Sequence, residues 1–185
     1  SGVHALGNVA VFDTESRIPP ERMAYALNQK LPEDIVIVKS EEVSADWHPR
    51  YQDEIIKTYE YHIFNAAVKN PLKQRYNAYV SFPLDVDQMR KGATYIIGKH
   101  DFASFCGTGA QVKSTVRTIT GIDVWRDGDI VTIRVKGEGF LYNMVRIIAG
   151  TLIQVGNGQY PPERVKKILE ACDRSVSGPT APAHG

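Results

Sequence analysis

The sequence predicts an α+β fold with antiparallel sheets flanked by helices, on three observations. Short β-branched and aromatic stretches are interspersed with amphipathic helical segments, but without the strict strand-helix-strand alternation of a parallel sheet. Arg126-Asp127-Gly128-Asp129 separates two long strand-like runs, which is a hairpin signal. The chain then closes on two helical patterns in succession.

Taken in order, Val9-Ala10-Val11-Phe12 reads as a short buried strand. Pro19-Pro20 followed by Glu21-Arg22 starts a helix over 20–29, because proline is tolerated in a first turn, and Met23, Ala26 and Leu27 recur at helical spacing. Pro32 stops that helix before Ile35-Val36-Ile37-Val38, a β-branched run read as a second strand. Residues 40–55 gather turn formers, acids and Trp47-His48-Pro49, a connection with a subdomain boundary expected near residue 47. Over 56–65 a strand places Lys57, Tyr59, Tyr61 and Ile63 on one face and Thr58, Glu60, His62 and Phe64 on the other. A short strand follows at 76–82, then a helix of about 86–97 with Met89, Ala93, Ile96 and Ile97 on one side and Gly98 as its stop. The hairpin strands are 115–125 and 130–136. A helix over 141–155 carries Met144, Val145, Ile148 and Leu152 on its apolar stripe, leaving Asn143, Arg146 and Gly150 together on another, where a loop could approach. The last helix, 161–172, buries Val165, Ile168, Leu169 and Cys172. The tail from Ser175 to Gly185 is rich in Pro, Ala and Gly and is expected to lack a pairing partner.

With 185 residues, 43% hydrophobic and 23% charged, the composition is that of a folded globular chain of one domain or two small ones, which excludes a disordered chain. No apolar run approaches the roughly 18 residues of a membrane span. The net charge of +1 conceals a split: six cationic against eleven anionic side chains over residues 1–65, and twelve against seven over 66–150. Basic residues in the second stretch, including Lys69, Lys73, Arg75, Arg90, Lys91, Lys113 and Arg117, would suit a phosphate backbone; a scattered solvated face is the alternative. Cys106 and Cys172 are too few for a disulfide scaffold, and no Cys/His spacing suggests zinc, so a reducing cytoplasm fits best. No secretory signal is evident, and the opening Ser1 in place of methionine points to a cut chain.

By composition Ser1-Gly2-Val3-His4-Ala5-Leu6-Gly7-Asn8 is only a tight loop. It also resembles the catalytic loop of the TruA family of tRNA pseudouridine synthases, in which Arg-Thr-Asp is followed by Ala or Ser and then by Gly-Val-His-Ala. Other segments resemble family signatures in the right order: 30–38 (Lys-Leu-Pro-Glu-Asp-Ile-Val-Ile-Val), Trp47-His48-Pro49-Arg50-Tyr51, and Lys57-Thr58-Tyr59-Glu60-Tyr61 with Lys at an Arg position. Gly98 to Phe105, Gly139 to Arg146 and Gly178-Pro179-Thr180-Ala181-Pro182 extend the resemblance over essentially the whole chain.

The resemblance implies a pseudouridine synthase fold of two ferredoxin-like subdomains, the first incomplete. Residues 1–47 would be the C-terminal half of the N-terminal domain, and 48–185 the C-terminal domain without its last strand. It implies isomerisation of uridine to pseudouridine in the tRNA anticodon stem-loop by an aspartate that falls immediately before Ser1, so that the 185-residue chain alone would be inactive. Arg146 would orient that carboxylate, and Tyr59, His4 and Asn143 would bind substrate, Tyr59 by packing on a flipped base. Lys57, Lys113 and Arg117 would meet the RNA backbone. No cofactor is implied, and the partners would be tRNA and a second copy of the chain, in the cytoplasm and away from membranes. A non-catalytic RNA-binding module of the same fold is the alternative. Outside the resemblance, Cys106 could add as a thiolate to a pyrimidine, although a buried free cysteine is common. His100-Asp101 reads as a turn rather than an acid/base dyad, and Gly107-Thr108-Gly109 is only a fragment of a phosphate loop.

Overall fold

A computed structural model describes residues 3–49 and 55–185. The chain divides into two units, the first His4–Glu54 and the second Ile55–Gly185 together with Ser1–Val3.

Among the described residues of the first unit the sequence forms one α-helix and no strand. A 3-10 turn at Pro20–Arg22 runs into helix α1, Met23–Asn28, which buries Met23 and Ala24. No side chain of its own caps α1; instead Ser40 Oγ accepts from the Ala24 amide (2.9 Å) and donates to the Pro20 carbonyl (2.6 Å). The strands expected at 9–12 and 35–38 are absent: both segments lie outside any ladder, with Val9, Val11, Phe12, Ile35, Val36 and Val38 exposed. A β-branched run becomes a strand only where another backbone pairs with it, and among the described residues of this unit none does. The Asn28 side chain stands in, its Oδ1 accepting from the Ile37 amide (2.8 Å) and its Nδ2 donating to the Ile37 carbonyl (3.0 Å).

The second unit is a five-stranded sheet with three helices. Its strands are β1 (Lys57–Asn65), β2 (Ala78–Val80), β3 (Gly98–Asp101), β4 (Val116–Asp127) and β5 (Ile130–Gly137), in the spatial order β2-β1-β5-β4-β3. The sheet is mixed, which corrects the expectation of purely antiparallel sheets: β2 runs parallel to β1, the other pairs antiparallel. The connection over 66–77 is long enough to carry the chain back to the same end, as a parallel pair requires. Asn65 secures that edge, its Nδ2 donating to the Val80 (3.0 Å) and Phe82 (2.7 Å) carbonyls.

Tyr61 and Ile63 of β1, Val131, Ile133 and Val135 of β5 and Val124 of β4 bury one face of the sheet. Against that core lie buried side chains of α2 (Val86–Thr94), α3 (Met144–Gly156) and α4 (Glu163–Ala171). Each large aliphatic side chain fully removed from water contributes about 1.5–3 kcal/mol. Helix α2 starts on Asp85, whose Oδ1 accepts from the Asp87 and Gln88 amides (both 3.0 Å). It ends at Thr94, earlier than expected, and Gly98 with φ of +110° opens the unexpected strand β3 instead of simply stopping the helix. Helix α3 is the central helix, with Ile147, Ile148, Ala149, Gly150, Thr151 and Leu152 all buried in sequence.

The tail also departs from expectation. Rather than lacking a partner, it folds back along α3: Gly178 N donates to Thr151 Oγ1 (3.1 Å), and Ala181 N donates to the Arg146 carbonyl (3.0 Å). The approach is possible because Gly150 has no side chain; a Cβ there would fall 1.8 Å from the Pro179 carbonyl oxygen. The stripe of Asn143, Arg146 and Gly150 is thus where a loop approaches, and the loop is the chain's own tail.

Candidate active site

The site begins where the loop after β5 enters α3. Asn143 takes a left-handed conformation (φ 56°, ψ 10°), which Asn tolerates better than most residues with a side chain. It does not cap the helix with its side chain; Asn143 Oδ1 accepts from Arg146 Nη1 (3.1 Å). Arg146 Nε donates to the Ala181 carbonyl (2.8 Å), so one residue pair, Arg146 and Ala181, is joined by two hydrogen bonds in opposite directions. The half-buried guanidinium is therefore aimed by both its own helix and the tail. Beside it the Tyr61 hydroxyl donates to the Pro182 carbonyl (2.7 Å). Burial raises the Tyr61 phenol above the ordinary tyrosine value, with the Arg146 charge acting in the opposite direction.

Phe140, on the same loop, meets Tyr59 edge to face with ring centroids 5.0 Å apart. One short segment, Gly139 to Asn143, thus reaches Tyr59 through Phe140 and Arg146 through Asn143. Gly107 holds that segment from behind: its amide donates to the Tyr142 carbonyl (2.8 Å), and a Cβ would lie 2.8 Å from the Tyr142 ring. Lys57, exposed at the start of β1, stands opposite Gly137 in the ladder. Across β5, Arg117 has its aliphatic stem beside Gly139 and donates from Nη1 to the Ser114 (3.0 Å) and Val116 (2.6 Å) carbonyls. Lys99, Arg117, Thr118, Glu138 and Gly139 line a shallow groove of about 330 Å³ there.

The structure therefore joins Arg146 with Asn143 and places Tyr59, Lys57 and Arg117 around the loop between β5 and α3. Lys113 is exposed in the irregular segment before β4 and touches none of these in the contacts above. His4 belongs to the other unit, in an exposed irregular stretch. Ser1 and Gly2 of the catalytic-loop resemblance, and Arg50 and Tyr51 of the Trp47 segment, lie outside the described residues.

The remaining candidates have local duties. His100 Nε2 lies 2.8 Å from the Ile97 carbonyl oxygen, and Asp101 Oδ1 accepts from the Ala103 amide (3.0 Å) and Thr115 Oγ1 (2.6 Å), so each serves its own turn. The Cys106 thiol is half-buried and directed at the Gly107 carbonyl (3.7 Å). Arg90 is engaged by Asp87 and the Val124 carbonyl, and Lys69 lies over the Tyr79 ring. Among the described residues no three His, Cys, Asp or Glu side chains gather as metal ligands, and no helix is long and apolar enough to cross a membrane. Sequence reasoning missed Phe140, Lys99 and the tail carbonyls of Ala181 and Pro182. Phe140 sits inside a recognisable signature, but carbonyls leave no mark in a sequence.

Comparison with known proteins identifies the family. A family profile described as tRNA pseudouridine synthase matches residues 1–52 and 93–185. The chain is 49% identical, over its whole length and 75% of the relative's, to tRNA pseudouridine synthase A of Brevibacillus brevis. It is likewise similar over its whole length to tRNA pseudouridine synthase A of Halalkalibacterium halodurans (44% identity, 70% of that protein) and to tRNA pseudouridine synthase A 2 of Clostridium tetani (49%, 74%). Pseudouridine synthases are isomerases, and a profile match over most of the chain together with full-length identity of this order shows that the chain belongs to the tRNA pseudouridine synthase family.

Proposed function

We propose that the protein isomerises uridine to pseudouridine in the anticodon stem-loop of tRNA, with an aspartate at the position preceding Ser1 in the longer chain as nucleophile. The observation that carries the reading is the Arg146 guanidinium, anchored through Nε and Nη1 on Ala181 and Asn143, with the Tyr59–Phe140 pair on the same loop. In the reaction the C1′–N1 bond breaks, the uracil turns, and C5 bonds to C1′ while the C5 proton leaves and N1 gains one. Atoms and electrons balance without a redox step or an external cofactor. A carboxylate supplies the covalent route, at sugar or base. Arg146 pairs with it, keeping it ionised and oriented. Tyr59 offers a surface for the flipped base, Asn143 and His4 hold the substrate nucleotide, and Lys57, Arg117 and Lys113 meet phosphates, recognition being by stem-loop shape.

In the same reading the molecule acts as a cytoplasmic homodimer with tRNA lying across both copies. Residues 1–47 are the C-terminal half of one ferredoxin-like domain. Residues 48–185 are the second such domain, continued by a strand after Gly185.

The test is tritium release from unmodified tRNA labelled at uridine C5, using the full-length protein. Release with the wild type, and an Arg146→Ala variant slowed about 100- to 1000-fold in the chemical step with tRNA affinity nearly unchanged, is the expected result. Tight tRNA binding without release would leave a non-catalytic RNA-binding module. Equal losses of rate and affinity in the variant would remove Arg146 from the chemistry.

A further inference from the structure

The end of the chain is held along α3 by backbone and side-chain contacts that converge on one guanidinium. Arg174 anchors the start of this segment, donating from Nη1 to Ser177 Oγ (2.8 Å) and the Gly178 carbonyl (3.0 Å), and from Nη2 to Thr180 Oγ1 (3.1 Å). Thr151 Oγ1 accepts from Gly178 N, while donating to the Ile147 carbonyl (2.9 Å). The Pro179 carbonyl then crosses the bare backbone of Gly150, and Ala181, buried to 3% exposure, is bonded twice to Arg146. One residue on, the Pro182 carbonyl accepts from the buried Tyr61 hydroxyl of β1, the strand that also carries Tyr59. Apart from those of Arg174, these contacts join the segment to the helix that bears Arg146 or to the strand that bears Tyr59.

We propose that Gly178–Pro182 is a positioning strap for Arg146 and that Tyr61 is a positioning residue that locks the strap to the sheet. The inference rests on the role of Arg146 given above. With Nε committed to Ala181 and Nη1 to Asn143, the guanidinium plane is fixed and its remaining N–H groups form a directed fork. Such a fork pairs with a carboxylate in two parallel hydrogen bonds only when its plane is held. The requirement for glycine at position 150 follows, since any side chain there displaces the Pro179 carbonyl and with it the Ala181 carbonyl two residues on. Tyr61 acts without touching the substrate: its hydroxyl fixes the carbonyl next to the one that Arg146 uses.

The test compares wild-type full-length protein with Tyr61→Phe and Gly150→Ala, measuring single-turnover pseudouridine formation against pH, tRNA affinity and melting temperature. Tyr61→Phe preserves volume and removes one hydrogen bond; it is expected to slow the chemical step by about tenfold. Gly150→Ala is expected to slow it by about 100-fold, as misplacement of a reacting group does. In both, tRNA affinity stays within about twofold of wild type, the range of a small interaction change. The acid limb of the rate profile moves to higher pH, because a carboxylate less well paired with Arg146 returns toward its ordinary value and loses its charge earlier on acidification. Variants that only melt lower, with rate and acid limb unchanged, would make the strap a stabilising clasp and overturn the proposal. If Gly150→Ala does not fold, Tyr61→Phe alone decides. A wild type that makes no pseudouridine overturns the functional reading and the strap with it, whereas an active wild type with unaffected variants overturns the strap alone.

Discussion

Two β-branched runs in this molecule have opposite fates. Ile35-Val36-Ile37-Val38, in the first unit, stays irregular, with Val36 69% and Val38 88% exposed. Ile130 to Val135, in the second, is the centre of β5, and Val131, Ile133 and Val135 are fully buried. Both have the composition of a strand. The second has β1 on one side and β4 on the other, with helices over one face, whereas the first has for its backbone the side-chain amide of Asn28 and a local turn from the Ile35 amide to the Pro32 carbonyl. β propensity thus measures how well a side chain packs against cross-strand neighbours, and without neighbours it has no structure to stabilise.

The largest test of this contrast is Ile133→Ala, which opens a cavity between β1, β4 and the helices and is expected to cost about 2–5 kcal/mol in a denaturant titration. A cost near zero would mean that β5 owes its order to something other than its neighbours. A sharper comparison within the core uses Tyr61. Its raised phenol value means that folding excludes the phenolate. Stability is therefore fully present below the ordinary tyrosine value near 10 and is lost progressively as pH rises above it. Tyr61→Phe should flatten that alkaline decline in a pH series of melting curves, and an unchanged decline would place the titration elsewhere. Smallest is Val36→Ala, expected to change stability by no more than about 0.5 kcal/mol because the side chain is already in water. A loss comparable with that of Ile133→Ala would show the two runs to be equally packed.

The same reasoning explains which parts of the second unit could be read in advance. Strand β1, the β4–β5 hairpin and helices α2, α3 and α4 carry their own periodicity, so burial on one side is written in the spacing. Strand β3, Gly98-Lys99-His100-Asp101, has no β-branched or large apolar residue and exists because the edge of β4 that faces away from β5 offers its backbone for pairing. Strand β2 could be located, but not its direction, since three residues look the same in either sense. At the candidate site Arg146, Asn143 and Tyr59 were legible through their motifs and Gly150 through the stripe it shares with Arg146. The partners that aim them were not, because Ala181 and Pro182 contribute only carbonyl oxygens, which every residue possesses.

By itself, then, the sequence determined the α+β class, the amphipathic helices and the identity of the side chains around the loop into α3, because periodicity and side-chain chemistry are local properties. Only the tertiary structure decided which β-branched runs become strands, that the sheet is mixed, and that the tail closes over Gly150 onto Arg146. Those outcomes depend on which backbones meet, and a backbone amide or carbonyl has the same chemistry wherever it lies in the chain.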